Sequence, residues 1–157
     1  MARYCASFSG KVGSNTANTP IVNLSGGTGE RLIVRELYLV STAAITAAPA
    51  LVIGRSTARG TVTTSATTIS QDPSAGASVG TLDIAWSVNP TFTTTAANRI
   101  RNDFPSTAIG QQTTWYFHSY GVWVPATAGA GLIVWNVNAS GNPNNGAWDG
   151  HVVWDED

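Results

Sequence analysis

The stretch Arg31-Leu32-Ile33-Val34-Arg35-Glu36-Leu37-Tyr38-Leu39-Val40 decides whether this chain is built of helices or of sheets. Its apolar residues are spaced in a way that would also suit a helix. No serine or threonine stands beside its start to cap a helix, and valine, isoleucine and tyrosine favour extended backbone. It reads as a strand. The rest of the chain agrees, because twenty threonines, fourteen valines and nine isoleucines stand against seven leucines, three glutamates and one lysine. Sixteen glycines, seven prolines and eleven asparagines punctuate the whole length with turns.

Working outward by period, strands are expected near 3–9, 31–40, 50–57, 80–87, 98–104, 112–124 (one strand or two), 130–138 and 150–155. In the first, Tyr4, Ala6 and Phe8 share one face and Arg3, Cys5 and Ser7 the other. Ser41 to Pro49 is alanine-rich and leaves room for a short helical turn. Thr61 to Gly80 reads as a long loop or a pair of weak edge strands, and Asn138 to Gly146 as a turn. About eight short strands without helical heptads predict an all-β fold, an antiparallel β-sandwich or jelly roll. The 157 residues make one domain, 1–157, with no repeat of the length that builds propellers or solenoids. Residues 1–30 are set apart as an extended N-terminal arm, since Lys11 to Gly29 is mostly polar and small. An ordinary loop between two strands is the competing reading of that segment.

Charge excludes several functions. Eight basic and nine acidic residues leave a net charge of −1, and Lys11 is the sole lysine. That is no nucleic-acid binder and no polybasic membrane-surface protein. No run approaches the length of a membrane span, and the first ten residues lack the apolar core of a secretory signal, so synthesis and folding in a cytoplasm are expected. With that expectation, Asn23-Leu24-Ser25 and Asn138-Ala139-Ser140 match the glycosylation sequon by chance. Cys5 stands alone, which rules out an intrachain disulfide framework or a thiolate metal cluster.

Catalysis needs titratable groups that converge. His118 and His151 are the only histidines, with no second ligand at metal-like spacing from either, and both read as ordinary strand residues. Gly26-Gly27-Thr28-Gly29 lacks the Lys-Ser/Thr of a phosphate loop and reads as a turn. No catalytic residue, metal ligand or cofactor is expected, and the chain reads as a non-enzyme.

Partner binding has better candidates. Five of the six tryptophans lie in the last 43 residues: Trp115, Trp123, Trp135, Trp148 and Trp154. Trp115 and Trp135 are expected in the core and in contact. Trp148, beside the asparagine–glycine stretch, is the one most expected at the surface, and Trp123 is its companion as an anchor. Arg55 and Arg59, four apart, are expected to share a strand face and to meet carboxylates of a neighbour or of the terminal Asp155-Glu156-Asp157, which reads as a solvated tail. A surface so poor in lysine and so rich in aromatics and arginine has the composition of a permanent interface.

One group of proteins has comparable sequence features. Ala58-Arg59-Gly60-Thr61, Asp72-Pro73, Thr81-Leu82, Ala85-Trp86-Ser87, Pro90, Ile109-Gly110, Trp115-Tyr116-Phe117, Gly121-Val122, Pro125, Leu132-Ile133-Val134-Trp135-Asn136 and Val153-Trp154-Asp155 together resemble capsid decoration, or cement, proteins of tailed bacteriophages. The resemblance spans roughly the C-terminal two-thirds. It implies a homotrimeric β-sandwich on the outside of the virion, bound to the major capsid protein, stabilising the head and assembled in the bacterial cytoplasm. It transfers no catalytic residues. The alternative is a carbohydrate- or receptor-binding sandwich, as in a fibre tip or lectin, with Trp148 and Trp123 stacking sugar rings.

Overall fold

The structure is a computed structural model that describes residues 1–13, 19–45, 49–93, 95–138 and 146–157. The centre of the turn expected over 138–146, at 139–145, the centre of the alanine-rich segment at 46–48 and part of the polar segment at 14–18 fall outside the described residues.

Two antiparallel sheets pack face to face. The first contains β1 (Ala2–Gly13), β3 (Leu32–Ser41), β6 (Thr68–Ser70), β10 (Gln112–Tyr116), β11 (Val122–Val124) and β13 (Gly146–Glu156). Its order is β10-β3-β13-β1-β6, with β11 continuing along β3 beyond β10. The second contains β2 (Val22–Ser25), β4 (Pro49–Ala58), β5 (Thr61–Ser65), β7 (Thr81–Val88), β8 (Thr91–Phe92), β9 (Arg99–Asp103) and β12 (Gly131–Asn138). Its order is β5-β7-β2-β12-β4-β8, with β9 also on β4. The described residues thus hold thirteen strands rather than about eight. The excess consists mainly of short strands, and Thr61 to Gly80 does supply two edge strands.

The helix-like spacing of the deciding stretch has a simple cause. Leu32, Val34, Leu37 and Leu39 all enter the core, and the step from Val34 to Leu37 is one residue too long for simple alternation. The β3·β13 register shifts there: Glu36 pairs with Val153 and Val34 with Trp154, so Arg35 is an inserted residue. A β-bulge restores the alternation after one extra residue, which sends Arg35 to the outer face.

Between the sheets lies the main core, formed by Tyr4, Phe8, Leu24, Leu37, Ile53, Leu132, Trp148 and Trp154 among others. The outer face of the second sheet carries a second cluster of Ala50, Val52, Phe92, Ile133, Trp135 and Val137. Trp135 and Trp115 are therefore both buried, but in different clusters. The strand β12 alternates its side chains, so Leu132 and Val134 face the first sheet while Ile133 and Trp135 face away from it. Gly54 makes the seat for Trp135, because a Cβ there would stand 2.7 Å from the indole edge and from the Asn98 carbonyl.

Residues 1–30 do not form an arm. Ala2–Gly13 lies between β13 and β6, and Val22–Ser25 between β12 and β7, each hydrogen-bonded on both sides. The alternation of Val22 and Leu24 with Asn23 and Ser25 is a strand pattern buried on both faces, too short to stand out in a polar segment.

Candidate functional site

One flank of the sandwich gathers most of the unusual surface. There β8 and β9 edge the second sheet, β10 and β11 edge the first, and the Thr113 hydroxyl of β10 donates to Asp103 of β9. Of the eight exposed large apolar or aromatic side chains among the described residues, Phe104, Ile109, Tyr116, Tyr120 and Trp123 lie on the segment 104–123 that forms this flank. Arg101 of β9 lines a shallow recess there with Tyr116 and Tyr120. Scattered apolar residues need no explanation, but five on one flank beside arginines have the make-up of an interface.

A second recess on this flank is a cleft of about 300 Å³ lined by Arg31, Arg55, Trp123, Val124 and Pro125. Its geometry follows from strand alternation. Val122 and Val124 point toward the core, so Trp123 points outward, opposite Ile33 on β3. Arg31, two residues before Ile33, falls on the same outer face, with its guanidinium carbon 5.7 Å from the Trp123 ring centroid. Its backbone exchanges two hydrogen bonds of 3.1 Å with Asp157. Arg55 follows Leu51 and Ile53 on the core-facing side of β4, at the point where the core ends, and its Nη1 donates across to the Trp123 carbonyl.

Electrostatics separates Arg55 from the other anchored arginines. Hydrogen bonding to Asp155 raises the pKa of Arg3, and hydrogen bonding to Asp83 raises that of Arg59. Burial alone acts on Arg55, and it lowers the pKa. No carboxylate among the described residues forms an ion pair with Arg55 or Arg31.

The remaining expected site residues are placed differently. Arg59 does not join Arg55. Its Nε and Nη2 donate to Asp83 at 2.7 and 2.6 Å, and the chain runs on through hydroxyl and amide groups, Ser25 to Asp83 at 2.7 Å, Asn23 to Ser25 at 2.8 Å and Ser56 to Asn23 at 2.7 Å. This network satisfies the buried polar outer face of the second sheet. Trp148 is fully buried rather than exposed. Counting back in twos from Trp154 and Val152 reaches it, a signal masked by the neighbouring asparagines and glycines.

The terminal acidic run is structural, not a solvated tail. Asp155 is buried and accepts from Arg3 Nε at 2.6 Å and from Arg35 Nε at 2.6 Å. Glu156 turns inward and accepts from Trp154 Nε1 at 3.0 Å, from the backbone N–H of Val79 and Gly80 at 3.1 and 3.0 Å, and from the Ser78 hydroxyl. It holds the 78–80 loop against the core. Asp157 alone is exposed.

Burial by itself would push the Asp155 carboxyl up, but the hydrogen bonds and charges of Arg3 and Arg35 outweigh it and hold the group below the usual carboxylate range. A folded-state value below the unfolded one stabilises the fold above the unfolded value, and that gain is lost as pH falls through the folded one. Asp155→Asn is therefore expected to cost about 2 kcal/mol at pH 7. The gap to the parent protein should narrow as pH falls below the ordinary carboxylate range, where Asp155 in the folded protein takes up its proton. Urea titrations at several pH values measure it, and a gap that stays constant with pH would refute the assignment.

His118 lines the shallow recess with Arg101, Tyr116 and Tyr120, and no carboxylate lies among the residues that line it. His118 is exposed in the turn closed by Gly121, whose N–H donates to the His118 carbonyl at 2.9 Å, so it is not a strand residue. His151 does lie beside a carboxylate, with Nε2 3.0 Å from Glu36 Oε1. That pair sits on the outer face of the first sheet with Tyr38 stacked on the imidazole, ring centroids 5.3 Å apart. Among the described residues no group of three or more potential metal ligands occurs.

Comparison with protein families, with curated proteins and with solved structures finds no match to this chain.

Proposed function

We propose that this protein is a non-catalytic structural attachment protein, a capsid decoration or cement protein that seats as a homotrimer on the major capsid protein of a tailed-phage head. The observation that carries this reading is the flank of Phe104, Ile109, Tyr116, Tyr120 and Trp123 interleaved with Arg31, Arg55 and Arg101. Aromatics and arginines are the residues that dominate binding at protein interfaces, where lysine is scarce. Tyr116 and Trp123 stand on the paired strands β10 and β11, and Phe104, Ile109 and Tyr120 in the connections beside them, so the sandwich supports the same reading by gathering them on one flank. Three-fold sites on a shell would match a three-fold protein. The sugar-binding alternative is weakened, because Trp148 is buried and, among the described residues, Trp123 is the one exposed tryptophan, without a second indole beside it at the surface.

The test is sedimentation of the purified protein with phage heads that lack it. Saturable binding at a fixed ratio to the shell protein, with DNA released at a higher temperature from the decorated heads, is the expected result. Failure to bind any head, or virions free of this chain, would reject the reading. Light scattering of the free protein should report about three chains, the number that a three-fold seat requires.

A further inference from the structure

We infer that the Arg31–Arg55–Trp123 cleft is a receptor for a single carboxylate side chain of the partner protein; this rests on the attachment reading above and names the chemistry of its contact. Charge complementarity carries it. Arg3, Arg35 and Arg59 each hold a carboxylate of this chain at 2.6 Å, whereas Arg31 and Arg55 line one cleft and pair with none among the described residues.

Arg55 is half-buried and its pKa is lowered by burial, so part of its hydration has been given up without an anion in return. A partly desolvated cation gains most from an incoming opposite charge, since the local dielectric is low and the cost of removing water is already met. One of its nitrogens is fixed on the Trp123 carbonyl, which orients the guanidinium fork and leaves its other donors to the cleft. Arg31 is held against the Trp123 indole, and a guanidinium placed over an aromatic ring keeps its in-plane N–H groups for bidentate contact. Val124 and Pro125 complete the lining of the cleft.

The surroundings favour a single carboxylate over a phosphate backbone. Exposed Glu30 precedes Arg31, and exposed Asp157 lies opposite it on the neighbouring strand, so an extended polyanion would meet repulsion on both sides. A chain that is net acidic with one lysine offers no basic track beyond the cleft.

A blocked tetrapeptide with one glutamate among glycines and its glutamine counterpart probe the site, read through the indole N–H resonance of Trp123, which Trp123→Phe identifies. The glutamate peptide should shift that resonance saturably and the glutamine peptide should not. Arg31→Gln with Arg55→Gln should abolish the shift, keep the native near-ultraviolet dichroism and weaken head binding about tenfold or more, the scale of losing a charge-assisted hydrogen bond. If the double variant does not fold, Arg31→Gln alone carries the test, because Arg31 is exposed. Undiminished head binding by a folded variant overturns the inference while leaving the attachment reading intact. So does a shift produced equally by the glutamine peptide, or by inorganic phosphate but not by the glutamate peptide. Peptide binding by a parent protein that binds no heads supports the cleft's chemistry and rejects the capsid reading instead.

Discussion

Removal of residues 1–29 is expected to abolish folding, not to trim a dispensable arm. The deletion takes out β1, which pairs with β13 from Ala2–Glu156 to Gly13–Gly146, and β2, which joins β7 to β12. Each sheet loses an interior strand. Tyr4, Phe8, Ile21, Val22 and Leu24 leave the main core with them. Burial of each such side chain is worth about 1.5–3 kcal/mol, so the loss rivals the whole stability of an ordinary domain, about 5–15 kcal/mol. Near-ultraviolet circular dichroism and a urea titration of the truncated chain decide the matter. A cooperative transition with a native aromatic spectrum would mean that the two sheets close without β1 and β2.

The segment shows where a single sequence stops being legible. Strands with a clean apolar face, such as Tyr4-Ala6-Phe8 or Leu132 to Asn136, can be read because alternation over several residues has no competing explanation. The strand β2 is four residues long, and its polar half is buried. Asn23 and Ser25 look like loop residues until Ser56 and Asp83 are placed beside them, and those partners come from elsewhere in the chain. The acidic run at 155–157 misleads for the same reason. Asp155 is matched by Arg3 and Arg35, the latter aimed outward by a bulge that no propensity reveals. Of the expected contact residues, Arg55 and Trp123 do meet, and Arg31 was missing from the expectation because only the β3·β11 register brings it to Trp123. Local chemistry is written in the sequence; pairing between distant strands is not.

Trp135 gives that distinction an energetic form. Trp135→Ala should cost about 3–5 kcal/mol, the range for truncating a buried aromatic. Its neighbour is Phe92, ring centroids 5.1 Å apart, on the outer face of the second sheet. Trp115 is buried in the main core on the other side of that sheet. A double-mutant cycle between Trp135→Ala and Phe92→Ala should therefore show coupling of about 0.5–3 kcal/mol, because both rings line one void once either is removed. The same cycle with Trp115→Ala should be additive to within about 0.5 kcal/mol, as for residues with no shared partners. Conservative changes, Trp135→Phe and Trp115→Phe, keep the comparison usable if an alanine pair no longer folds. Strong coupling between Trp135 and Trp115, with none between Trp135 and Phe92, would place both tryptophans in one core and invert the phase of β12. That inversion would turn Leu132 and Val134 away from the first sheet, so the cycle tests the packing of the two sheets and not merely one side chain.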